Sequence, residues 1–206
     1  MRALSALALG GALIIAAATP GLAQSRGDFT LGVGVAGVLP KSDNGTLANG
    51  TLDLKIDDSI RPTITFEYFI ADNIGVEVLG AWPFKHDFDL NGDSAGSTEQ
   101  LPPVISVQYH FPTQTAFTPF LGVGLNYTTF FSEKSRGVLS GADVSLDDSW
   151  GIALHAGTDY KIDAKSAARF DVRWIDIDSD VRVNGTRVGK AEIDPWVVGV
   201  SYVYNF

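Results

Sequence analysis

The sequence predicts an all-β fold: an eight-stranded antiparallel up-and-down transmembrane barrel with four longer extracellular loops and three short periplasmic turns. Three observations carry this. Apolar side chains alternate with polar or small ones through eight segments of about membrane-crossing length. One face of these segments is almost free of charge, while charges and glycines gather on the other. The connections alternate long and short, as hairpins open to opposite sides of a membrane do.

The first strand is expected at 28–39, with Phe29, Leu31, Val33 and Val35 opposed by Thr30, Gly32, Gly34 and Ala36. The second, 59–70, sets Ile64, Phe66 and Tyr68 against Arg61, Thr63, Thr65 and Glu67. Pro62 falls within it and needs a place where a missing N–H is tolerated, beside a bulge or near the rim. The third, 74–85, has Val76, Val78 and Trp82 against Glu77 and Leu79. The fourth, 103–111, has Ile105, Val107 and Tyr109 against Gln108 and His110. The fifth, 117–131, has Leu121, Val123 and Leu125 against Gly122, Gly124 and Asn126. The sixth, 149–160, has Trp150, Ile152, Leu154 and Tyr160 against His155 and Asp159. The seventh, 168–176, has Phe170, Val172 and Trp174 against Arg169, Asp171 and Arg173. The eighth, 195–206, has Trp196, Val198, Val200, Tyr202 and Tyr204 against Gly199 and Ser201. Between them lie long connections at 40–58, 86–102, 132–148 and 177–194, and short ones at 71–73, 112–116 and 161–167.

A soluble small barrel would hide branched apolar side chains and expose its charges. Here the charged face is the one that must turn inward, which is the outer-membrane arrangement. Closure then follows, because an open sheet edge in hydrocarbon leaves backbone groups unpaired. Aromatic residues of the apolar face fall at two levels. Tyr68, Tyr109, Tyr160 and Tyr204 lie near the short turns, and Trp82, Trp150, Trp174 and Trp196 near the long loops, as two interfacial girdles would.

The chain of 206 residues begins with Arg2, an apolar run from Ala3 to Ala18, a break at Thr19 and Pro20, and small residues at Gly21 and Ala23. That is the pattern of a signal peptide, so residues 1–23 are expected to be cleaved and 24–206 to form the barrel domain. The acidic balance, 24 Asp+Glu against 15 Lys+Arg, argues against a nucleic-acid partner. The absence of cysteine excludes disulfides and thiol chemistry. His86, His110 and His155 are scattered, so neither a metal nor a cofactor is expected.

The order of several stretches resembles the OmpW family of Gram-negative outer-membrane proteins. They are FTLGVGVAGVLPK at 29–41, NIGVEVLGAWPFKHD at 73–87, TPFLGVGLNYTTFF at 118–131, WGIALHAGTDYKID at 150–163 and PWVVGVSYVYNF at 195–206. The resemblance implies a narrow barrel in the cell outer membrane associated with passage of small hydrophobic molecules, with exit sideways through the wall. It also implies receptor roles for bacteriocins or phages. The terminal Tyr204 and Phe206 are similar to the signal read by the outer-membrane assembly machinery.

Eight strands enclose a space that side chains largely fill. Arg61, Glu67, Glu77, Asp159, Arg169, Asp171 and Arg173 are expected to pair as an ion network that plugs it, since a buried charge needs a partner. Leu79, Phe120 and Val197, with Leu52 and Leu54 of the first long loop, are candidates for an apolar pocket in the outer half. No activated nucleophile stands near the carboxylates, so the chain is not expected to be an enzyme. Two functions stay open: a monomeric barrel offering small hydrophobic molecules a path or pocket, or a structural or receptor barrel whose loops bind partners.

Overall fold

The computed structural model describes residues 24–206; the expected signal peptide lies outside them. Along the chain run β1 (Phe29–Leu39), β2 (Thr46–Leu47), β3 (Leu52–Ile56), β4 (Ser59–Ala71), β5 (Ile74–Ala81), β6 (Phe84–Leu90), β7 (Asp93–Leu101) and β8 (Val104–His110). Then follow β9 (Phe117–Ser135), a 3₁₀ turn (Gly137–Leu139), β10 (Val144–Leu146), β11 (Ser149–Lys161), β12 (Ser166–Ile175), β13 (Asp178–Val183), β14 (Thr186–Glu192) and β15 (Trp196–Asn205).

Eight of these form the membrane barrel. The strands β1, β4, β5, β8, β9, β11, β12 and β15 pair antiparallel in that order, and β15 returns to β1 from Thr30↔Asn205 to Leu39↔Trp196. Every strand therefore has two neighbours, and the wall has no free edge in hydrocarbon. The expected face assignment holds around the wall. Ile64, Val107, Leu125, Leu154 and Val200 are exposed to lipid, whereas Glu67, Glu77, His110, Asp159, Arg169 and Arg173 are buried inside. Trp82 and Trp150 stand 72% and 73% exposed at the outer rim.

Pro62 is tolerated for a local reason. Its carbonyl accepts the Trp82 N–H at 2.9 Å. Its absent N–H belongs to the same strand edge, opposite the place where β5 ends at Ala81. The third expected strand is thus cut short: Trp82 and Pro83 break it, and the chain restarts as β6.

The long connections are not loops but a second tier. The strands β2, β3, β6, β7, β10, β13 and β14 continue the wall outward together with the upper end of β9, in the order β10-β13-β14-β2-β3-β6-β7-β9. The Asn91–Gly92 and Asn184–Gly185 pairs turn two of its hairpins, with φ of 51° and 87°, and 51° and 78°. Both residues of each pair are left-handed, as the tight hairpin turn requires.

In this upper tier the faces are reversed. Leu47, Leu54, Phe88, Leu90, Val144 and Val181 point into a dry centre. The ion pairs Lys190–Asp178 and Arg187–Asp180, at 2.6 and 2.7 Å, stand outside. Within it His86 is buried. It donates from Nδ1 to the Asp57 carbonyl at 2.6 Å and accepts at Nε2 from the Gln100 amide at 3.1 Å, tautomer assigned from these partners. Burial pushes its pKa below the ordinary 6.5.

Two outcomes test this fold. A Cβ on Gly34 would run into the Val200 carbonyl and lie 2.5 Å from Ser201 Cβ. Gly34→Val should therefore cost about 1–3 kcal/mol of barrel stability, read by urea unfolding in bilayers. The unfolded chain takes up a proton on His86 at about pH 6.5 while the folded tier resists it, so stability falls as pH drops below that value. Protection of the β6 and β7 amides against hydrogen exchange, corrected for the intrinsic pH dependence of exchange, should fall between pH 7 and 5, and His86→Gln should flatten that dependence.

Candidate functional site

The register places the charged residues face to face. Glu67 lies opposite Glu77, Asp159 opposite Arg169, and His155 opposite Arg173. Arg169 is the hub. Its Nε and Nη2 donate to the two Asp159 oxygens at 2.7 and 2.9 Å, its Nη1 to Glu77 at 2.8 Å, and its Nη2 also to Glu67 at 3.2 Å. Arg173 Nη2 donates to the other Glu77 oxygen at 2.7 Å. Two carboxylates that would repel each other across β4 and β5 are thus held together by guanidinium groups from β12, on the far wall.

Two histidines complete the network. His110 Nε2 donates to Glu67 at 2.8 Å. His155 Nε2 donates to Asp171 at 3.1 Å, while its Nδ1 accepts from Gln108 at 3.1 Å and from Arg173 at 3.0 Å. The small cavity among Glu77, His155, Arg169, Asp171 and Arg173 is about 20 Å³. That is room for one water and not for a solute.

Six of the seven residues expected in the network meet here. Arg61 does not. It points inward higher up, where its Nε and Nη1 donate to the carbonyls of Pro83 and Ile60 at 3.0 and 2.8 Å. Its position two rows from the rim lets a long side chain reach backbone rather than the plug. Phe120 is the second correction. It lies not in an outer pocket but within the plug. The Arg169 guanidinium stands 4.6 Å from its ring centre, and the His155 and His110 rings at 5.0 and 5.1 Å. Its row near the periplasmic start of β9 fixes that depth. Gln108, His110 and His155 were legible as inward residues, but their bonding depends on strands far apart in sequence.

Above the plug the lumen holds an apolar cluster, with the buried polar side chains of Asn126, Thr128 and Ser149 beside it. Ala36, Val38, Phe84, Val104, Phe130, Ile175 and Val197 form one cluster, with Leu79 and Ala81 packed on it. The upper-tier cluster stands over this one, and Ile56 packs against both. Leu54 lines a cavity of about 30 Å³ in the upper tier, with Phe88, Leu139, Val144 and Val181. Leu52 packs at the margin of that cluster. The wall beside the lower cluster is weak at one point. The β5–β8 ladder ends at Leu79↔Val104. Beyond it Gly80–Pro83 faces Leu101–Pro103, and neither Pro102 nor Pro103 has an N–H to give.

A closed eight-stranded wall that is greasy outside, charged within and girdled by aromatic rings defines a transmembrane barrel of the outer-membrane class. The chain belongs to the OmpW family, whose model matches residues 25–206. It is similar to Outer membrane protein W of Vibrio cholerae, at 34% identity over 95% of this chain and 97% of that one. Its fold is similar to the crystal structure of the outer membrane protein OprG from Pseudomonas aeruginosa. That match has TM-score 0.80 and 31% identity, over 89% of this chain and 98% of that one. A more distant similarity, 26% identity over 70% of each chain, is to the dibenzothiophene metabolism operon protein PahQ of Pseudomonas aeruginosa. The protein is accordingly an outer-membrane barrel in contact with membrane lipid.

Removing the hub should expose how the plug is balanced. Arg169→Met leaves Asp159 buried without its guanidinium partner and takes one partner each from Glu67 and Glu77, and should cost about 3–5 kcal/mol, measured by unfolding in lipid bilayers.

Proposed function

We propose that this barrel takes small hydrophobic molecules from the cell exterior into the lipid of the outer membrane. The observation that carries the reading is the continuity of the apolar lining. It runs from Leu54 and Phe88 through Ile56 to Leu79 and Val104, and it ends on the charged plug. An apolar solute that descends this column meets Arg169, Glu77 and their partners, which offer it no favourable contact. Beside that floor stands the unladdered stretch between Gly80–Pro83 and Pro102–Pro103, which leads sideways to hydrocarbon. The similarity to a protein of a dibenzothiophene metabolism operon supports an aromatic, uncharged cargo.

In this reading the chain acts as a monomer and catalyses nothing. Phe206, stacked on Phe29 at 4.7 Å, belongs to the terminal segment presented to the assembly machinery before the barrel closes.

The test is uptake of naphthalene by liposomes carrying the full barrel. Leu79→Asp puts a charge into the column and should slow protein-dependent uptake about tenfold or more without opening an ion conductance. Uptake that is unchanged by the substitution would favour a barrel whose loops bind partners and whose lumen carries nothing.

A further inference from the structure

Main-chain ladders close the wall of the upper tier everywhere except between β9 and β10. These are the two ends of its strand order, yet they follow one another in the chain. Side-chain bonds stand at the two ends of this seam where a ladder would otherwise run: the Ser135 hydroxyl donates to the carbonyl of Ala142, just before β10, at 2.8 Å, and the Tyr127 hydroxyl donates to Asp148, just after it. The segment that joins the strands, residues 136–143, lies over the tier. It holds the 3₁₀ turn, and Leu139 of that turn is one wall of the apolar cavity.

The cavity is about 30 Å³. A cavity that takes benzene is roughly 150 Å³, so no aromatic solute fits until a lining residue moves. Most of the lining cannot move cheaply, because Leu54, Phe88 and Val181 sit on strands paired to neighbours. Leu139 does not sit on a strand.

Its segment is built to move as one piece. The Leu139, Ser140 and Ala142 N–H groups donate within it, to Arg136, Gly137 and Leu139 carbonyls at 2.9, 3.1 and 2.9 Å. It is fastened outside itself mainly at its two ends. The Arg136 N–H donates to the Ala95 carbonyl at 2.7 Å. Asp143 exchanges bonds with Asn184 at 2.9 and 2.7 Å. Gly137 and Gly141, with φ of 52° and 82°, flank Leu139 as pivots. Val138, beside it, is 68% exposed and gives an arriving apolar molecule a first contact.

We propose that small apolar solutes enter through the seam between β9 and β10, with segment 136–143 as its cap and the Leu139 side chain as its gate. This inference rests on the transport reading given above and adds where the cargo is admitted. The chain has no cysteine of its own, so a staple across the seam is unambiguous. In liposomes bearing the full barrel, with naphthalene as probe, oxidised S135C/A142C should take up the probe about tenfold more slowly than its own reduced form. Reductant should restore the parental rate, which also shows that the variant is folded. Leu139→Ala, which widens the gate whether or not a staple forms, should raise the rate severalfold. If the parent barrel carries naphthalene and both the oxidised staple and Leu139→Ala carry it at the parental rate, the gate is overturned while the transport reading stands. If the parent barrel carries none, the transport reading falls and the gate with it.

Discussion

Hydrocarbon offers a backbone no hydrogen bonds, and that one deficiency organises this molecule. It forces β15 back onto β1 and turns the apolar face of every crossing strand outward. The polar face is then left to fill a narrow cylinder. Charges confined there cannot be solvated by bulk water, so each must find a partner on another strand. The plug around Arg169 is the consequence: acids from β4, β5 and β11 converge on a guanidinium from β12.

The two tiers are the same wall in different solvents. Where lipid surrounds it, charges go in and leucines go out. A few residues higher, where water surrounds it, Phe88 and Leu90 go in while Asp178 and Lys190 go out. Strand β9 runs through both regimes. The shift between them comes with local irregularity: Ser132 takes φ of 57°, and the β7–β9 register slips between Ser97 and Glu99. A register slip is how a strand can exchange the face it presents. The apolar column arises from this change of regime. It is the dry core of the upper tier meeting the inward apolar residues at the top of the membrane barrel.

The sequence was most legible where a single rule governs. Period-two alternation placed all eight crossing strands to within a few residues, and the pairing of Glu67 with Glu77 and of Asp159 with Arg169 followed from the short turns between their strands. It was least legible in the long connections. Stretches such as Thr186–Glu192 carry Arg187, Val188, Gly189 and Lys190, too polar and too glycine-rich to read as strand by themselves. They become strands because the barrel below delivers their ends at strand spacing. Arg61 misled because inward direction is visible in alternation while height along the barrel is not. Phe120 misled for the same reason, its ring lying among charges that come from three other strands.

By itself, then, the sequence determined the class of environment, the number of crossings and the direction of every side chain in them, because each of those depends on neighbours along one strand. The tertiary structure alone decided the heights, the upper tier, the hub at Arg169, the break at Pro102 and Pro103 and the unladdered seam beside Leu139. Those depend on shear and closure, which bring together residues more than a hundred positions apart, and no local pattern encodes that distance.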